Sequence, residues 1–198
     1  VYMHIGEGSH EHRLLFSGDI KYEKSWLFDA ATVRFPKADT LVIESTYGGP
    51  QDFQPNRVDA THEIQDLVKL AVSRSGKIFC PVFAVGRSQE VMLALDQLFK
   101  SGDVTPITVW LDGMISEATA IHASHPDYLN RDLRKQVLRG GEENPFNSPW
   151  FKQVDSREQR ESILNDPSPC IVLATSGMMT GGPIMEYFKN WAPELNNT

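Results

Sequence analysis

Lys77-Ile78-Phe79-Cys80-Pro81-Val82-Phe83-Ala84-Val85-Gly86-Arg87-Ser88 is the stretch whose reading decides the fold. It opens as a near-continuous apolar run, turns at a glycine, and passes into apolar residues at helical spacing: Val91, Leu93, Ala94, Leu95 and Leu98. A strand that is apolar on both faces and runs straight into a helix belongs in a parallel sheet covered on both sides. The unit recurs. Ile107–Leu111 ends at Asp112-Gly113 and is followed by Ile115, Ala118 and Ile121; Cys170–Thr175 meets Ser176-Gly177 ahead of a helix over about 182–191. Upstream, Val58, His62, Ile64, Leu67, Val68 and Ala71 predict a helix capped by Asn56 or Asp59. The polar middle, about 122–168, predicts short helices near 130–139 and 156–164. Strand-helix alternation thus predicts a parallel α/β sheet from about residue 51 onward.

The texture before Pro50 differs. Val1, Met3 and Ile5 alternate with Tyr2 and His4; a polar turn with two glycines follows, then Leu14-Leu15-Phe16, which together read as a hairpin. A third strand is expected over Thr40–Glu44, and residues 51–56 read as a polar linker. Residues 1–50 and 51–198 are therefore expected to be separate domains, with no sheet running through both. Two strands of the first part end in a carboxylate beside a glycine-bearing loop, Asp19 after Ser17-Gly18 and Glu44 before Ser45–Gly49. Chemistry collects on loops at strand ends in layered α/β folds.

Composition narrows the class. With 198 residues, 40% hydrophobic and 23% charged, the chain is an ordinary globular sequence. Two cysteines exclude a disulfide scaffold or a four-cysteine zinc module, and they fit a reducing compartment, the cytoplasm. No apolar run approaches the roughly 20 residues of a membrane helix, and the first residues lack the features of a signal peptide. Val1 already lies in a strand, so a piece of a longer protein is expected. The net charge of -7 argues mildly against nucleic acid. Local charge in a cleft decides binding, however, and a total does not report it.

The candidate residues each carry two readings. Asp19 is a metal ligand or a turn aspartate; Glu44 is a buried acid or base, or an ordinary strand-end charge. His10-Glu11-His12 has the alternation that puts two imidazoles on one face of a strand. It sits in a glycine-flanked turn that would give a metal neither walls nor supporting partners, so it is not expected to bind one. Arg87 and Ser88, at a strand-to-helix turn, and Ser176 and Gly177, at another, offer donors to an anion. The plain alternative is that both are the tight turns an α/β sheet needs. Cys80 and Cys170 lie in apolar strands, where a thiol is usually inert.

Taken in order, four short segments resemble a known family. Phe16-Ser17-Gly18-Asp19 looks like the aspartate motif of the metallo-β-lactamase fold, and Glu44-Ser45-Thr46-Tyr47-Gly48 like the first motif of the β-CASP nucleases. Pro81–Glu90 and Ala174–Met179 match the same family. The archaeal cleavage and polyadenylation specificity factors, which are ribonucleases, match most nearly. The resemblance implies an α/β fold: a parallel-sheet β-CASP domain over 51–198, incomplete at its C-terminal side, inserted into a metallo-β-lactamase αββα domain of which 1–50 is an edge portion. It implies a zinc-dependent ribonuclease acting on single-stranded RNA in 3′-end processing or decay. Asp19 would bridge two zinc ions and Glu44 would support a leaving-group acid. Arg87, Ser88, Ser176 and Gly177 would hold phosphates. A homodimer or related nuclease subunits are the protein partners it leaves open.

The sequence also departs from the family. Its main histidine-rich metal motif belongs upstream of Val1, and its last histidine motifs belong after Thr198. The chain alone is thus expected to hold no zinc and cleave no RNA. A non-catalytic relative that binds RNA or a partner nuclease stays open, as, further off, does a DNA-directed enzyme or small hydrolase of the same fold.

Overall fold

Continuous apolar strands need cover on both faces, and the second part of the chain supplies it. The computed structural model describes residues 1–6, 8–53 and 55–198. Glu7 in the expected turn and Gln54 in the expected linker lie outside the described residues. Strands β4 (Ile78–Pro81), β5 (Thr108–Asp112), β6 (Phe151–Gln153) and β7 (Cys170–Ala174) form one sheet of order β4-β7-β5-β6, parallel throughout. We number the first three strands β1 (Tyr2–Ile5), β2 (His12–Phe16) and β3 (Thr40–Val42).

β7 is central and buried at all five positions. Its side chains alternate. Ile171 and Leu173 join a core with Val68, Met92, Leu95, Ile115 and Leu133, while Cys170, Val172 and Ala174 join a second core with Ile163, Ile184, Tyr187 and Trp191. Those partners assign the helices. On one face lie α1 (Arg57–Ser73), α2 (Arg87–Ser101), α3 (Ile115–Ser124) and α4 (Arg131–Arg139); on the other lie α5 (Arg157–Asn165) and α6 (Ile184–Trp191). Asn56 caps α1, its side chain accepting from the Asp59 N–H at 2.9 Å. Asn130 and Ser156 cap α4 and α5 in the same way. The outer edge of β4 is covered by the last residues: the Thr198 N–H donates to the Lys77 carbonyl at 2.8 Å, and the Phe79 N–H to the Thr198 carbonyl at 3.0 Å.

The expected elements are present with two differences. β6 was not anticipated. It has three residues, too few for an alternation to register, and it exists because β5 offers it a free edge. β3 stops at Val42 instead of Glu44, because the Glu44 N–H leaves the ladder and donates to Ser17 Oγ at 3.1 Å.

The first sheet has order β1-β2-β3 and shares no strand with the second. β1 and β2 are the expected antiparallel hairpin, Tyr2 opposite Leu15, and β3 runs parallel to β2 with Phe16 opposite Val42. Its apolar residues Met3, Ile5, Phe16, Leu41, Val42 and Ile43 are exposed. One short stretch of this first part behaves differently. Leu27 is fully buried within the core over α2 and α4, with Trp26 and Phe28 packed beside it.

Candidate functional site

The direction of each crossover determines where a ligand can sit. After β4 the chain turns to α2 on one face; after β7, its neighbour, it turns to α6 on the other. Where adjacent parallel strands send their connections to opposite faces, a crevice opens beyond their carboxyl ends. By that rule the crevice falls between the loops Phe83–Arg87 and Ser176–Gly182. The two loops meet closely. A Cβ on Gly177 would come within 2.9 Å of the Phe83 nitrogen and 3.0 Å of the Val82 carbonyl carbon, so only glycine lets them approach. The loop after β5 joins them, since the Thr175 N–H donates to the Asp112 carbonyl at 3.3 Å.

The first turn is held from inside. Gly86 sits at φ 81°, a left-handed conformation suited to glycine. Gln89 is fully buried; its Oε1 accepts from the Gly86 N–H at 2.7 Å, and its Nε2 donates to the Ala84 carbonyl at 3.1 Å and to Thr119 Oγ1 at 2.9 Å. Ser88 is buried too, and its hydroxyl donates to the Ala84 carbonyl at 2.8 Å. Expected to meet phosphate, this hydroxyl instead ties down the turn. Arg87 is exposed, and among the described residues no carboxylate lies within 4.0 Å of its guanidinium. Glu90, three residues on, is occupied elsewhere: it faces Arg57 at 3.6 Å and accepts the N–H groups of Trp26 and Leu27 at 3.1 and 3.2 Å.

The second turn is organised by Ser176. Its hydroxyl donates to the Gly181 carbonyl at 3.2 Å and accepts from the Thr180 N–H at 3.3 Å. The N–H groups of Gly177 and Met178 find no acceptor among the described residues. The crevice therefore offers one unpaired guanidinium and two successive open N–H groups, a donor set suited to an anion.

Asp19 and Glu44 stand apart from this crevice in the chain, each just beyond one of the paired strands β2 and β3. Ser17 joins the two strand ends: its N–H donates to the Val42 carbonyl at 2.9 Å and its hydroxyl accepts from the Glu44 N–H. The Glu44 carboxylate accepts from the Thr46 N–H at 2.8 Å, and chiefly that bond holds its pKa below the usual glutamate value, with the Thr46 hydroxyl and the Ile20 N–H adding to it. Glu44 is thus held as the anion, whereas a group that gives up a proton near neutrality needs its pKa raised. Asp19 is exposed. Two histidines of the first part have other partners. His12 Nε2 lies 3.0 Å from Thr40 Oγ1, and His4 Nδ1 is 2.8 Å from Glu11 Oε1. Among the described residues no three His, Cys, Asp or Glu side chains stand together as a metal-binding group. Burial raises the pKa of both thiols, that of Cys170 to about 11.

One cluster escaped the sequence. Asp112, at the end of β5, is buried, accepts from Arg160 Nε at 2.7 Å and Nη2 at 2.9 Å, and accepts from the Tyr187 hydroxyl at 2.8 Å. Burial and the Asp112 charge push the Tyr187 phenol pKa up. The signal was present, since β5 ends in a carboxylate beside a glycine as β2 does, but its partners lie 48 and 75 residues away.

Known proteins resemble this chain in sequence. A family model of the Beta-Casp domain matches residues 88–198. The chain is 52% identical over 197 residues, all of its length, to the transcription termination factor FttA of Methanosarcina mazei. It is 47% identical over 196 residues to that of Cenarchaeum symbiosum, and 45% identical over 197 residues to that of Methanocaldococcus jannaschii. In each case the chain spans 30% of the relative's length. No helix among the described residues is long and apolar enough to cross a membrane. The matched region runs from the helix after the first crevice loop through the whole second loop and makes up more than half of the sequence, so the chain belongs to the Beta-Casp domain family.

Proposed function

We propose that this chain is the RNA-gripping part of a zinc-dependent ribonuclease that acts in transcript 3′-end formation or decay, with residues 51–198 as the β-CASP domain and 1–50 as an edge of a metallo-β-lactamase-type domain. The observation that carries the reading is the pair of loops at the carboxyl ends of β4 and β7, packed together at Phe83 and Gly177, one carrying an Arg87 with no carboxylate partner among the described residues and the other the open N–H groups of Gly177 and Met178. A guanidinium binds a phosphate with two parallel hydrogen bonds, and backbone N–H groups add donors without regard to base. The relatives' name, transcription termination factor, supports an RNA ligand.

The residues described do not complete a zinc site. Among them no three His, Cys, Asp or Glu side chains stand together, whereas a catalytic zinc takes three protein ligands. Within a chain of the relatives' length, Asp19 would be one of the residues that hold the metal. There, metal analysis of Asp19→Asn is expected to show lost zinc together with lost cleavage. Near-normal turnover with zinc retained would remove Asp19 from the metal site, and an absence of cleavage by the parent protein itself would favour a non-catalytic RNA-binding relative.

Binding is testable on the crevice itself. Arg87→Ala is expected to weaken single-stranded RNA binding by about 1–3 kcal/mol, the range of a charge-assisted contact. It should also flatten the dependence of affinity on salt, because one phosphate contact is gone. An unchanged affinity and salt slope with a lowered melting temperature would make Arg87 a structural residue and remove the phosphate site.

A further inference from the structure

The carboxyl end of the parallel sheet exposes more apolar surface than its connections require. Phe83 and Val85 after β4 are 55% and 67% exposed, Met114 after β5 is 70% exposed, and Met178 after β7 is 73% exposed. Single exposed apolar residues are ordinary, but a set gathered on the loops of three neighbouring strands marks a binding surface.

Phe83 is the one flat side chain in the set, and it is braced. A Cβ on Gly177 would lie 3.2 Å from Phe83 Cδ2, so an edge of the ring rests against the Gly177 backbone while more than half of the residue faces solvent. An aromatic ring fixed in this way loses little further freedom when a ligand packs on it.

The surroundings select the occupant. The same loop carries the unpaired Arg87 four residues on, and the loop that braces the ring carries the open N–H groups of Gly177 and Met178. The carbonyl oxygens of an apolar peptide seated on Phe83 could accept from the N–H groups, but such a peptide brings no negative charge to match the guanidinium. A nucleotide fits both halves: an anionic phosphate for the donors and a flat base for the ring.

We propose that Phe83 is a base-stacking platform, on which one unpaired base of a single-stranded nucleic acid lies while the adjoining phosphate is held by Arg87 and the Gly177–Met178 N–H groups. This rests on the RNA reading above and adds to it a reason for single-strand preference, since a base paired in a duplex cannot present its face to the ring. Stacking tolerates any base, so the platform confers strandedness and not sequence.

The test compares a short oligouridylate with an abasic ribose-phosphate strand of equal length, bound by the parent chain and by Phe83→Ala, Phe83→Trp and Arg87→Ala. The expected result is that Phe83→Ala weakens binding of the oligouridylate roughly 5- to 100-fold and leaves the abasic strand unaffected. Phe83→Trp should retain binding of both, and Arg87→Ala should weaken both. If Phe83→Ala moves neither affinity while Arg87→Ala weakens both, the platform is wrong and the RNA reading stands; the apolar patch then serves a protein surface. If Phe83→Ala weakens both strands equally, the ring merely supports the loops, and the proposal fails. If Arg87→Ala moves neither strand, the RNA reading itself fails.

Discussion

At the end of β5 the buried Asp112 carboxylate carries two hydrogen bonds from Arg160 and one from Tyr187, while Arg160 also reaches Glu186 at 3.3 Å. One side chain thereby ties β5 to α5 and α6. A buried ion pair is worth little against an apolar substitute, but removing one partner leaves a charge with neither water nor counter-ion. Arg160→Met is therefore expected to destabilise the chain by about 3–5 kcal/mol in urea unfolding. The double variant Asp112→Asn/Arg160→Met should recover part of that loss, because no bare charge remains. A single-variant effect below about 1 kcal/mol would mean that water reaches Asp112 and that the pair is not a clamp. At this scale the sequence was half legible. Arg87 and Gly177 stand where the turns were read, but the Ser88 and Ser176 hydroxyls are used within their own turns. A pattern of residue types cannot tell a free donor from one already bonded four residues away.

Among the elements, the stretch around Leu27 crosses between the two parts of the chain. Trp26 and Leu27 give their N–H groups to Glu90 on α2. The Leu27 carbonyl accepts from the Asn130 N–H at 2.9 Å, and the Trp26 carbonyl accepts from Asn130 Nδ2 at 2.6 Å. Polar groups are satisfied around a fully buried leucine, so the stretch is packed as core and not draped as a loop. Leu27→Ala is expected to cost about 2–5 kcal/mol, the range for a buried leucine that leaves a cavity. Amide exchange at Trp26 and Leu27 should quicken in Glu90→Ala without change at Val172 on β7. Equal protection in both chains would show that the stretch is held by its side chains alone. The strands and long helices were legible because periodicity and caps are local signals. The Leu27 plug was not, since Ser25-Trp26-Leu27-Phe28 has no period, and its partners on α2 and α4 are brought to it only by folding.

The whole molecule divides by burial. The second sheet has helices on both faces and a centre without exposure, while the first sheet leaves the apolar side chains of β3 exposed. Local stability follows buried contact. Native-state hydrogen exchange on this chain should therefore show β1, β2 and β3 opening at lower free energy than β4, β5 and β7, with Trp26 and Leu27 grouping with the second set. A single opening free energy for all of these would mean that the chain unfolds as one unit.

The parallel α/β sheet, its strand-helix units apart from β6, the hairpin and the two strand-end carboxylates were determined by the sequence alone. Each rests on a signal within about ten residues: an apolar run, a cap, a glycine at a turn. Tertiary structure alone decided that β7 enters between β4 and β5. That choice puts Gly177 against Phe83, and tertiary packing likewise gives Glu90 its partners Arg57 and the Leu27 plug. The physical reason is that strand order and side-chain pairing are set by which surfaces exclude water together, and residues far apart in the chain carry no local mark of that shared burial.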